Sequence, residues 1–258
     1  MTTNPSIRGG FVVIVVAAGS GSRLGYGVPK AQVMLKGRSI LEHSLRAVIS
    51  SGVLRDHGGH EAPLVVTVPA GDTALTDIAH QHGAHAVQGG STRAASVRQA
   101  LQAAENLVAQ HPVPPRGVLV HDAARCLTPP HVFRRVAQAV DQGYPAVIPV
   151  MPVVDTIRSV DDQGTSQGAV DRSRLRAVQT PQGFEWDVLL SVNKASDEVD
   201  DRITDDASLV EQCSTVVVHT VAGDEAALKI TRPLDLLLAD AIVDAVENAQ
   251  VTTPQGKF

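Results

Sequence analysis

Short, almost wholly apolar runs recur along the chain, and segments with the period of an α-helix separate them. Three of these runs are FVVIVV at residues 11–16, LVVTV at 64–68 and AVIPV at 146–150. Two later strand-like segments, which also contain polar residues, are STVVVHTV at 214–221 and AALKIT at 226–231. Because nearly every side chain in the first three runs is apolar, both faces of those strands must be covered. Strands of this kind that alternate with helices predict an α/β fold in three layers, with a mainly parallel central sheet.

The helical pattern stops between residues 151 and 179. That segment contains two β-like stretches on either side of the polar turn DDQGTSQG at residues 161–168, which predicts a hairpin that projects from the main body. A hairpin of this length is poorly stable alone, so we expect it to pack on another surface, such as a second subunit. No repeat or long linker divides the chain, and we predict one domain over residues 1–258 with residues 151–179 as a β-arm.

Charge and cysteine content exclude several classes of protein. The net charge is −5 and charges of both signs are mixed along the chain, which argues against nucleic acid or an anionic membrane as a partner. The apolar run at residues 11–18 has the length of a signal-peptide core, but it is too short to cross a bilayer and fits better as the first strand. Cys126 and Cys213 offer no disulfide framework, and the ten histidines show no metal-ligand spacing. We expect a cytoplasmic protein whose cysteines and histidines form no metal site.

The segment AAGSGSRLGYGVPK at residues 17–30 follows the first apolar run and contains four glycines. Glycines let a backbone come close to a ligand, and amide groups that point inward from such a loop bind phosphate oxygens. Arg23 and Lys30 add positive charge, which lowers the barrier when an attacking phosphate approaches the α-phosphorus of a triphosphate. We interpret the segment as a phosphate-binding loop.

Three alternatives compete with this interpretation of the loop. A dinucleotide-binding turn needs a helix that starts within the glycines, whereas a capping box formed by Ser39 and Glu42 predicts a later start for the first helix. A P-loop needs a glycine-lysine-serine ending, which the segment lacks. A purely structural glycine loop with exposed basic side chains stays open at this point.

Several further motifs, taken together with the loop, resemble one enzyme family. They are GGSTRAASV at residues 89–97, VHDAAR at 120–125, TPQGF at 180–184, ITDDAS at 203–208 and LKITRPLDL at 228–236. In this order they resemble the 2-C-methyl-D-erythritol 4-phosphate cytidylyltransferases of non-mevalonate isoprenoid biosynthesis, which are glycosyltransferase-A-like nucleotidyltransferases. The resemblance covers about residues 11–241. It implies their Rossmann-like fold and the transfer of a cytidylyl group from CTP to methylerythritol phosphate, with release of pyrophosphate.

The resemblance also implies roles for individual residues of this chain. The implied catalytic cations are Arg23, Lys30 and Lys229. The implied CTP-binding residues are Ala17, Ala18, Gly19, Gly90, Ser96 and Asp122, of which Gly90 and Ser96 lie near the cytosine. The implied residues for the polyol phosphate are Asp122, Arg125, Thr156, Arg172, Thr180 and Lys229. Since Thr156 and Arg172 belong to the arm, the resemblance implies a homodimer whose arm reaches into the neighbouring active site, and it implies Mg²⁺ held mainly by the CTP phosphates.

Some of these motifs have plain structural explanations as well. Ser91 is expected to cap the next helix, and Thr204 or Asp205 to cap the helix after ITDDAS. Taken alone, Asp122 at a strand exit is a turn former, a ligand for a hydroxyl or a carboxylate that helps to position Mg²⁺. Taken alone, Arg172 is an exposed arginine on a solvated hairpin.

Three positions depart from the usual family pattern. Ala31, Cys126 and Ala227 stand where glutamine, proline and asparagine are common. Each adjoins a site residue, and loss of the proline at position 126 is expected to loosen the loop that carries Arg125. A cytidylyltransferase for another polyol phosphate, such as ribitol 5-phosphate, and a catalytically inactive CTP-binding protein therefore stand as alternatives.

Overall fold

The computed structural model describes residues 9–19, 21, 24–56, 58–111, 113–195 and 205–251. In these residues the α-helices are α1 (Ile40–Ser51), α2 (Thr73–Gln81), α3 (Arg93–Val108), α4 (Pro130–Asp141), α5 (Trp186–Ala195), α6 (Asp206–Cys213) and α7 (Pro233–Val251). The strands are β1 (Val12–Val16), β2 (Met34–Leu35), β3 (Arg38–Ser39), β4 (Leu64–Val68), β5 (His85–Gln88), β6 (Val118–Asp122), β7 (Ala146–Pro152), β8 (Arg158–Val160), β9 (Ser166–Ala169), β10 (Arg176–Val178), β11 (Gln182–Phe184) and β12 (Val218–Ala222). None of these helices combines the length and the apolar character that crossing a membrane requires.

Eight strands form the central sheet in the order β10-β7-β11-β6-β1-β4-β5, with β12 paired to β7. The neighbours β5, β4, β1 and β6 are parallel, and β12 is parallel to β7. β11 runs antiparallel between β6 and β7, and β10 runs antiparallel to β7. The predicted mainly parallel sheet is confirmed, and the short antiparallel strand β11 within the motif TPQGF is an addition to it.

Both faces of β1 are buried, as its unbroken apolar sequence predicts. Val13 and Val15 pack in a cluster with α1, α2 and α4, whereas Val12 and Ile14 pack on the other face with α3, α5 and α6. Full burial of such a side chain contributes about 1.5–3 kcal/mol. The sheet therefore lies between two helical layers, and the three-layer prediction is confirmed.

Two of the predicted helix caps are present. The Ser39 side chain accepts a hydrogen bond from the Glu42 N–H, so α1 begins at Ile40 as the capping box predicts. The Asp205 side chain accepts from the Ser208 N–H and caps α6, while Thr204 lies outside the described residues. Local side-chain chemistry therefore sets both helix starts.

The predicted cap of α3 is wrong by one residue. Thr92, not Ser91, is the N-cap, because its hydroxyl accepts from the Ala95 N–H at 3.1 Å. A capping side chain satisfies the free N–H two or three residues after it. Ser91 lies one position too early to reach that donor.

The predicted strand AALKIT is also wrong. Residues 225–227 form a 3₁₀ turn, and the chain from residue 228 to 232 has no regular structure. The Ile230 N–H donates to the Ala124 carbonyl at 2.8 Å, so this segment contacts the loop after β6 and does not extend the sheet. Ile230 is buried in an apolar cluster with residues of α7.

The predicted hairpin is present between residues 151 and 179. β8 and β9 pair with each other, and neither pairs with another described strand. Val154 is 79% exposed and Val160 61% exposed, so apolar side chains of this segment lie uncovered. That the whole chain forms one domain with this segment as its β-arm stays a prediction.

Candidate active site

A cavity of about 500 Å³ lies at the carboxyl ends of β1 and β6. These two strands are parallel neighbours, so the loops that follow them emerge side by side at one edge of the sheet. Ligands of open α/β sheets bind at this edge. The cavity is lined by Val16, Ala17, Ala18, Gly19, Gly21, Lys30, Ala31, Gly90, Ser91, Thr92, Arg93, Ser96, Asp122, Ala123, Ala124 and Lys229.

The glycine-rich loop forms one wall of the cavity through Ala17, Ala18, Gly19 and Gly21. Gly21 has a φ of +68°, and a Cβ added there would lie 2.7 Å from the Cβ of Lys30. Because Gly21 has no side chain, the loop packs closely against Lys30, which also lines the cavity. The other predicted cation of the loop, Arg23, lies outside the described residues.

The opposite wall contains the start of α3 and the residues just before it. The Gly90 N–H donates to Ser96 Oγ at 3.1 Å, and the Ser96 hydroxyl donates to the Thr92 carbonyl at 2.9 Å. α3 begins at this wall with Arg93, and the positive end of a helix favours negatively charged groups. Gly90 and Ser96 therefore hold each other beside a site suited to an anion.

A charged cluster forms the floor of the cavity. Asp122 Oδ1 lies 3.0 Å from Arg93 Nε, and Asp122 Oδ2 lies 2.7 Å from Lys229 Nζ. Burial by itself raises the pKa of the Asp122 carboxyl, but Arg93 and Lys229 outweigh it and hold that pKa well below its usual value. Asp122 is therefore a charged carboxylate that joins two cations.

The Asp122 backbone is fixed from beneath by Thr180. The Asp122 N–H donates to Thr180 Oγ1 at 3.1 Å, and this hydroxyl lies 2.9 Å from His121 Nδ1. Burial lowers the pKa of His121 to about 3, so its ring is neutral and Nδ1 can accept the hydroxyl proton. Thr180 supports the cavity floor but does not line the cavity.

A family model described as 2-C-methyl-D-erythritol 4-phosphate cytidylyltransferase matches residues 11–245. The chain belongs to this family. Two relatives of that name, from Saccharopolyspora erythraea and Nocardia farcinica, are 48% and 42% identical over 90% and 92% of this chain and 98% and 95% of their own lengths. The family is one of cytidylyltransferases, so the chain is an enzyme of the nucleotidyltransferase class.

Solved structures of the family share the fold of this chain. The cytidylyltransferase from Thermus thermophilus is 31% identical with a TM-score of 0.68, and the match covers 90% of this chain and 98% of that one. The 4-diphosphocytidyl-2C-methyl-D-erythritol synthase from Anaerococcus prevotii is 25% identical with a TM-score of 0.75, and the match covers 94% of this chain and all of that one.

Most residues that the family resemblance assigns to CTP and catalysis lie around the one cavity. Ala17, Ala18, Gly19, Lys30, Gly90, Ser96, Asp122 and Lys229 all line it. Arg125 does not, because its guanidinium donates to the Ala227 carbonyl at 2.8 Å and to the Val178 carbonyl at 3.0 Å. Arg125 thus joins the loop after β6 to the end of β10 and to the turn at residues 225–227, and its predicted contact with the polyol phosphate stays a prediction.

The two arm residues of the cytidylyltransferase pattern lie away from this cavity. Thr156 precedes β8 and Arg172 follows β9, and both are exposed. Arg172 donates a hydrogen bond to the Val154 carbonyl within the arm. Neither lines the cavity of its own chain, so a role at the site requires the arm of another subunit.

The three departures from the family pattern are all buried. Ala31 lines the cavity, and the Ala227 carbonyl holds Arg125. Cys126 packs in an apolar cluster with Leu24 and Ile230, and its φ of −62° is the value that a proline ring would impose. The backbone at Cys126 thus has the conformation that the family proline requires.

Arg93 is the charged residue of the cavity lining that sequence reasoning missed, although it lies inside the quoted motif GGSTRAASV. It is the first residue of α3, where the positive end of the helix repels a cation. A basic residue directly after a helix cap therefore indicates that acidic partners lie nearby. This signal is present in the sequence, but the identity of the partners is not.

Proposed function

We propose that this chain joins CTP to 2-C-methyl-D-erythritol 4-phosphate, giving 4-diphosphocytidyl-2-C-methyl-D-erythritol and pyrophosphate in non-mevalonate isoprenoid biosynthesis. A phosphate oxygen of the methylerythritol phosphate forms a bond to the α-phosphorus of CTP. The bond from that phosphorus to the bridging oxygen of the β-phosphate breaks, and pyrophosphate takes the electron pair. The attacking phosphate is already ionised at neutral pH, so the reaction needs no general base.

The observation that carries the proposal is a single cavity in a chain of this family. This cavity is lined by the glycine-rich loop, the start of α3, Asp122 and Lys229. Two anions must approach each other, and fixed cations offset their repulsion while they set an in-line geometry. Lys30 and Lys229 are two such cations on the cavity wall, and we assign the same role to Arg23. Asp122 holds Lys229 at 2.7 Å and so fixes where its charge acts.

We assign recognition of the cytosine to Gly90 and Ser96. The Gly90 N–H and the Ser96 hydroxyl are already hydrogen-bonded to each other, so the backbone of this segment is ordered before a nucleotide binds. Backbone carbonyls and a hydroxyl in such a segment can accept from the amino group of cytosine, which uracil lacks. Replacement of CTP by UTP should therefore lower kcat/KM at saturating polyol phosphate.

Magnesium, in our proposal, is bound mainly through the phosphates of CTP. No group of three or more potential metal-binding side chains occurs among the described residues, and the one carboxylate that lines the cavity, Asp122, is paired with two cations. Mg²⁺ usually takes one or two carboxylates together with substrate phosphates and water. The donor set fits an ion that arrives with the nucleotide, and such an ion would neutralise part of the triphosphate charge.

We further propose a cytoplasmic homodimer in which the β-arm completes the neighbouring site. Arg172 and Thr156 lie outside the cavity of their own chain, and the arm presents the uncovered side chains Val154 and Val160. An arginine fork is suited to a phosphate because it donates two hydrogen bonds at once. The cytoplasm is proposed because Cys126 and Cys213 are both free thiols.

The test of the activity is pyrophosphate release by the purified chain with CTP and Mg²⁺. Methylerythritol 4-phosphate should support turnover, whereas ribitol 5-phosphate and other polyol phosphates should support little. Lys30→Ala should lower kcat/KM by about 100-fold or more, with little change in the thermal unfolding midpoint. Absence of turnover with all polyol phosphates, despite CTP binding, would show an inactive nucleotide-binding protein and refute the proposal.

The shared site has its own test, in which two defective variants are mixed. Lys30→Ala and Arg172→Ala subunits are exchanged, so that hybrid dimers contain one site with both residues intact. Random exchange should restore about a quarter of the wild-type activity, because half of the dimers are hybrids and each has one working site. No recovery, with exchange verified by mass spectrometry, would place Arg172 and Lys30 in the same subunit's site and refute the shared site.

A further inference from the structure

Arg93 has two buried acidic partners. Its Nε lies 3.0 Å from Asp122 Oδ1 and donates a hydrogen bond to it, and its Nη2 lies 2.8 Å from Asp206 Oδ2. The side chains of Asp122 and Asp206 are only 9% and 4% exposed. Burial lowers the pKa of Arg93, but these two carboxylates outweigh burial and raise it above its usual value. Arg93 therefore carries its charge permanently, in spite of the unfavourable helix end.

In this arrangement the Arg93 guanidinium interacts with carboxylates of the protein itself. Arg93 lines the cavity, yet two carboxylates face its nitrogen atoms and offset its single positive charge. A cation so compensated adds little to the attraction of a phosphate. Lys229 differs, because its side chain is 41% exposed and contacts one carboxylate. The two cations on either side of Asp122 thus have different roles.

Asp122 links Arg93 to Lys229 through its two oxygens. Oδ1 faces Arg93 and Oδ2 lies 2.7 Å from Lys229 Nζ, so a rotation of the carboxylate away from Arg93 would also move its other oxygen. Arg93 and Lys229 together also keep the pKa of Asp122 below its usual value. The location of the Lys229 charge therefore depends on Arg93, although the two residues are far apart in sequence.

Asp206 is the fixed end of this chain of contacts. It is the first residue of α6, and the N–H groups of Asp206 and Ala207 donate to Gln182 Oε1 at 3.1 Å. Gln182 belongs to β11, which pairs with β6, the strand that ends at Asp122. Both carboxylates that contact Arg93 are thus attached to the same sheet, and Arg93 fits between them.

We propose that Arg93 is a positioning residue for the transfer reaction: it bridges Asp206 and Asp122 and thereby holds Lys229 at the cavity wall. The inference rests on the proposed function, because it concerns the cation that steadies the reacting phosphates. It assigns no direct contact between Arg93 and CTP. Loss of Arg93 should consequently reduce the rate of the chemical step more than the affinity for the nucleotide.

The test is a double-mutant cycle with wild-type, Arg93→Met, Lys229→Met and the double variant, measured by pyrophosphate release under saturating and limiting CTP. In the wild-type background, Arg93→Met should lower kcat by about 10- to 100-fold, since small misplacements of a catalytic group have effects of this size. The KM for CTP should change by less than about 3-fold. In the Lys229→Met background, Arg93→Met should lower kcat by less than about 3-fold, because residues that act through one another are not additive.

Two further variants test whether Arg93→Met loses activity only because it does not fold. Arg134→Met removes an exposed arginine from α4, away from the cavity, and should keep wild-type kinetics. Arg93→Lys keeps the charge but lacks the planar fork that reaches both carboxylates, so it should show an intermediate kcat and replaces Arg93→Met in the cycle if that variant does not fold.

Three outcomes would overturn the inference. Additive losses in the double variant would mean that Arg93 acts independently of Lys229. A rise in the KM for CTP at unchanged kcat would mean that Arg93 binds the nucleotide directly. An inactive wild-type chain would refute the proposed function and this inference with it, whereas an active wild-type chain with additive variants would refute the inference alone.

Discussion

The contact between Gly21 and Lys30 allows a quantitative test of the loop. A methyl group on Gly21 would lie 2.7 Å from the Cβ, 2.8 Å from the N and 2.9 Å from the Cα of Lys30. Carbon atoms normally approach to about 3.5–4.0 Å, so Gly21→Ala must move Lys30 or the loop by about 1 Å. A misplacement of 1 Å at a catalytic group costs about 100-fold in rate.

A second effect of the same substitution is backbone strain, and it has a matched control. Gly21 and Gly25 have φ values of +68° and +74°, but a Cβ at Gly25 would meet nothing within 4 Å. Each alanine variant therefore bears the left-handed strain of about 1–2 kcal/mol, and only Gly21→Ala adds the collision with Lys30. Both variants should show similar free energies of unfolding by chemical denaturation, apart from any strain that the collision leaves.

The two variants should separate clearly in kinetics. Pyrophosphate release should give Gly21→Ala a kcat/KM about 100-fold below wild type, and Gly25→Ala a value within about 3-fold of wild type. The reasoning is refuted if both variants lose activity equally, because the shared strain would then explain the loss. It is also refuted if both retain full activity, because the position of Lys30 would then have no effect on turnover.

Two further predictions concern the buried polar groups beneath the cavity. Thr180→Val keeps the shape of the side chain but leaves the Asp122 N–H and His121 Nδ1 without their partner. Chemical denaturation should therefore show a free energy of unfolding about 1–3 kcal/mol lower than that of the wild type, and Thr180→Ser should restore it. A valine variant as stable as the wild type would contradict this reasoning. Burial lowers the pKa of His121 to about 3, so the unfolded chain binds a proton at His121 near pH 6.5 while the folded chain does not. The contribution of the neutral His121 to the free energy of unfolding is therefore present above pH 6.5 and is lost as the pH falls towards 3. His121→Asn should therefore remove about 1.4 kcal/mol per pH unit from the slope of unfolding free energy against pH between 5 and 4, and an unchanged slope would show that His121 does not titrate in this way.

The sequence predicted the parts of the fold that depend on local chemistry. The apolar run of β1 requires cover on both faces, and the Ser39–Glu42 capping box fixes the start of α1. β11 was not predicted because its three residues, Gln182–Phe184, are too few to show a strand pattern. AALKIT has the apolar content of a strand, but its Ile230 N–H donates to the carbonyl of Ala124 in the loop after β6 and not to a neighbouring strand.

The charges of the site show why the sequence could not go further. Arg93, Arg125 and Lys229 all lie in the quoted motifs, and the sequence alone does not tell which partners each of these cations has. The structure gives them different partners: Arg125 donates to backbone carbonyls, Arg93 lies between two carboxylates, and Lys229 contacts one carboxylate and stays partly exposed. These partners are far away along the chain. Asp122 and Asp206, for example, lie 29 and 113 residues from Arg93.

The attraction that a site exerts on a phosphate depends on the charge that the protein itself leaves uncompensated. A count of basic residues in the motifs therefore overstates that attraction, since Asp122 and Asp206 both contact Arg93. A basic residue in a motif can nevertheless order the site, because Arg93 is itself held by Asp206 and contacts Asp122 through its Nε. The Arg93 and Lys229 double-mutant cycle measures this distinction directly: it separates a cation that attracts the substrate from one that places another cation.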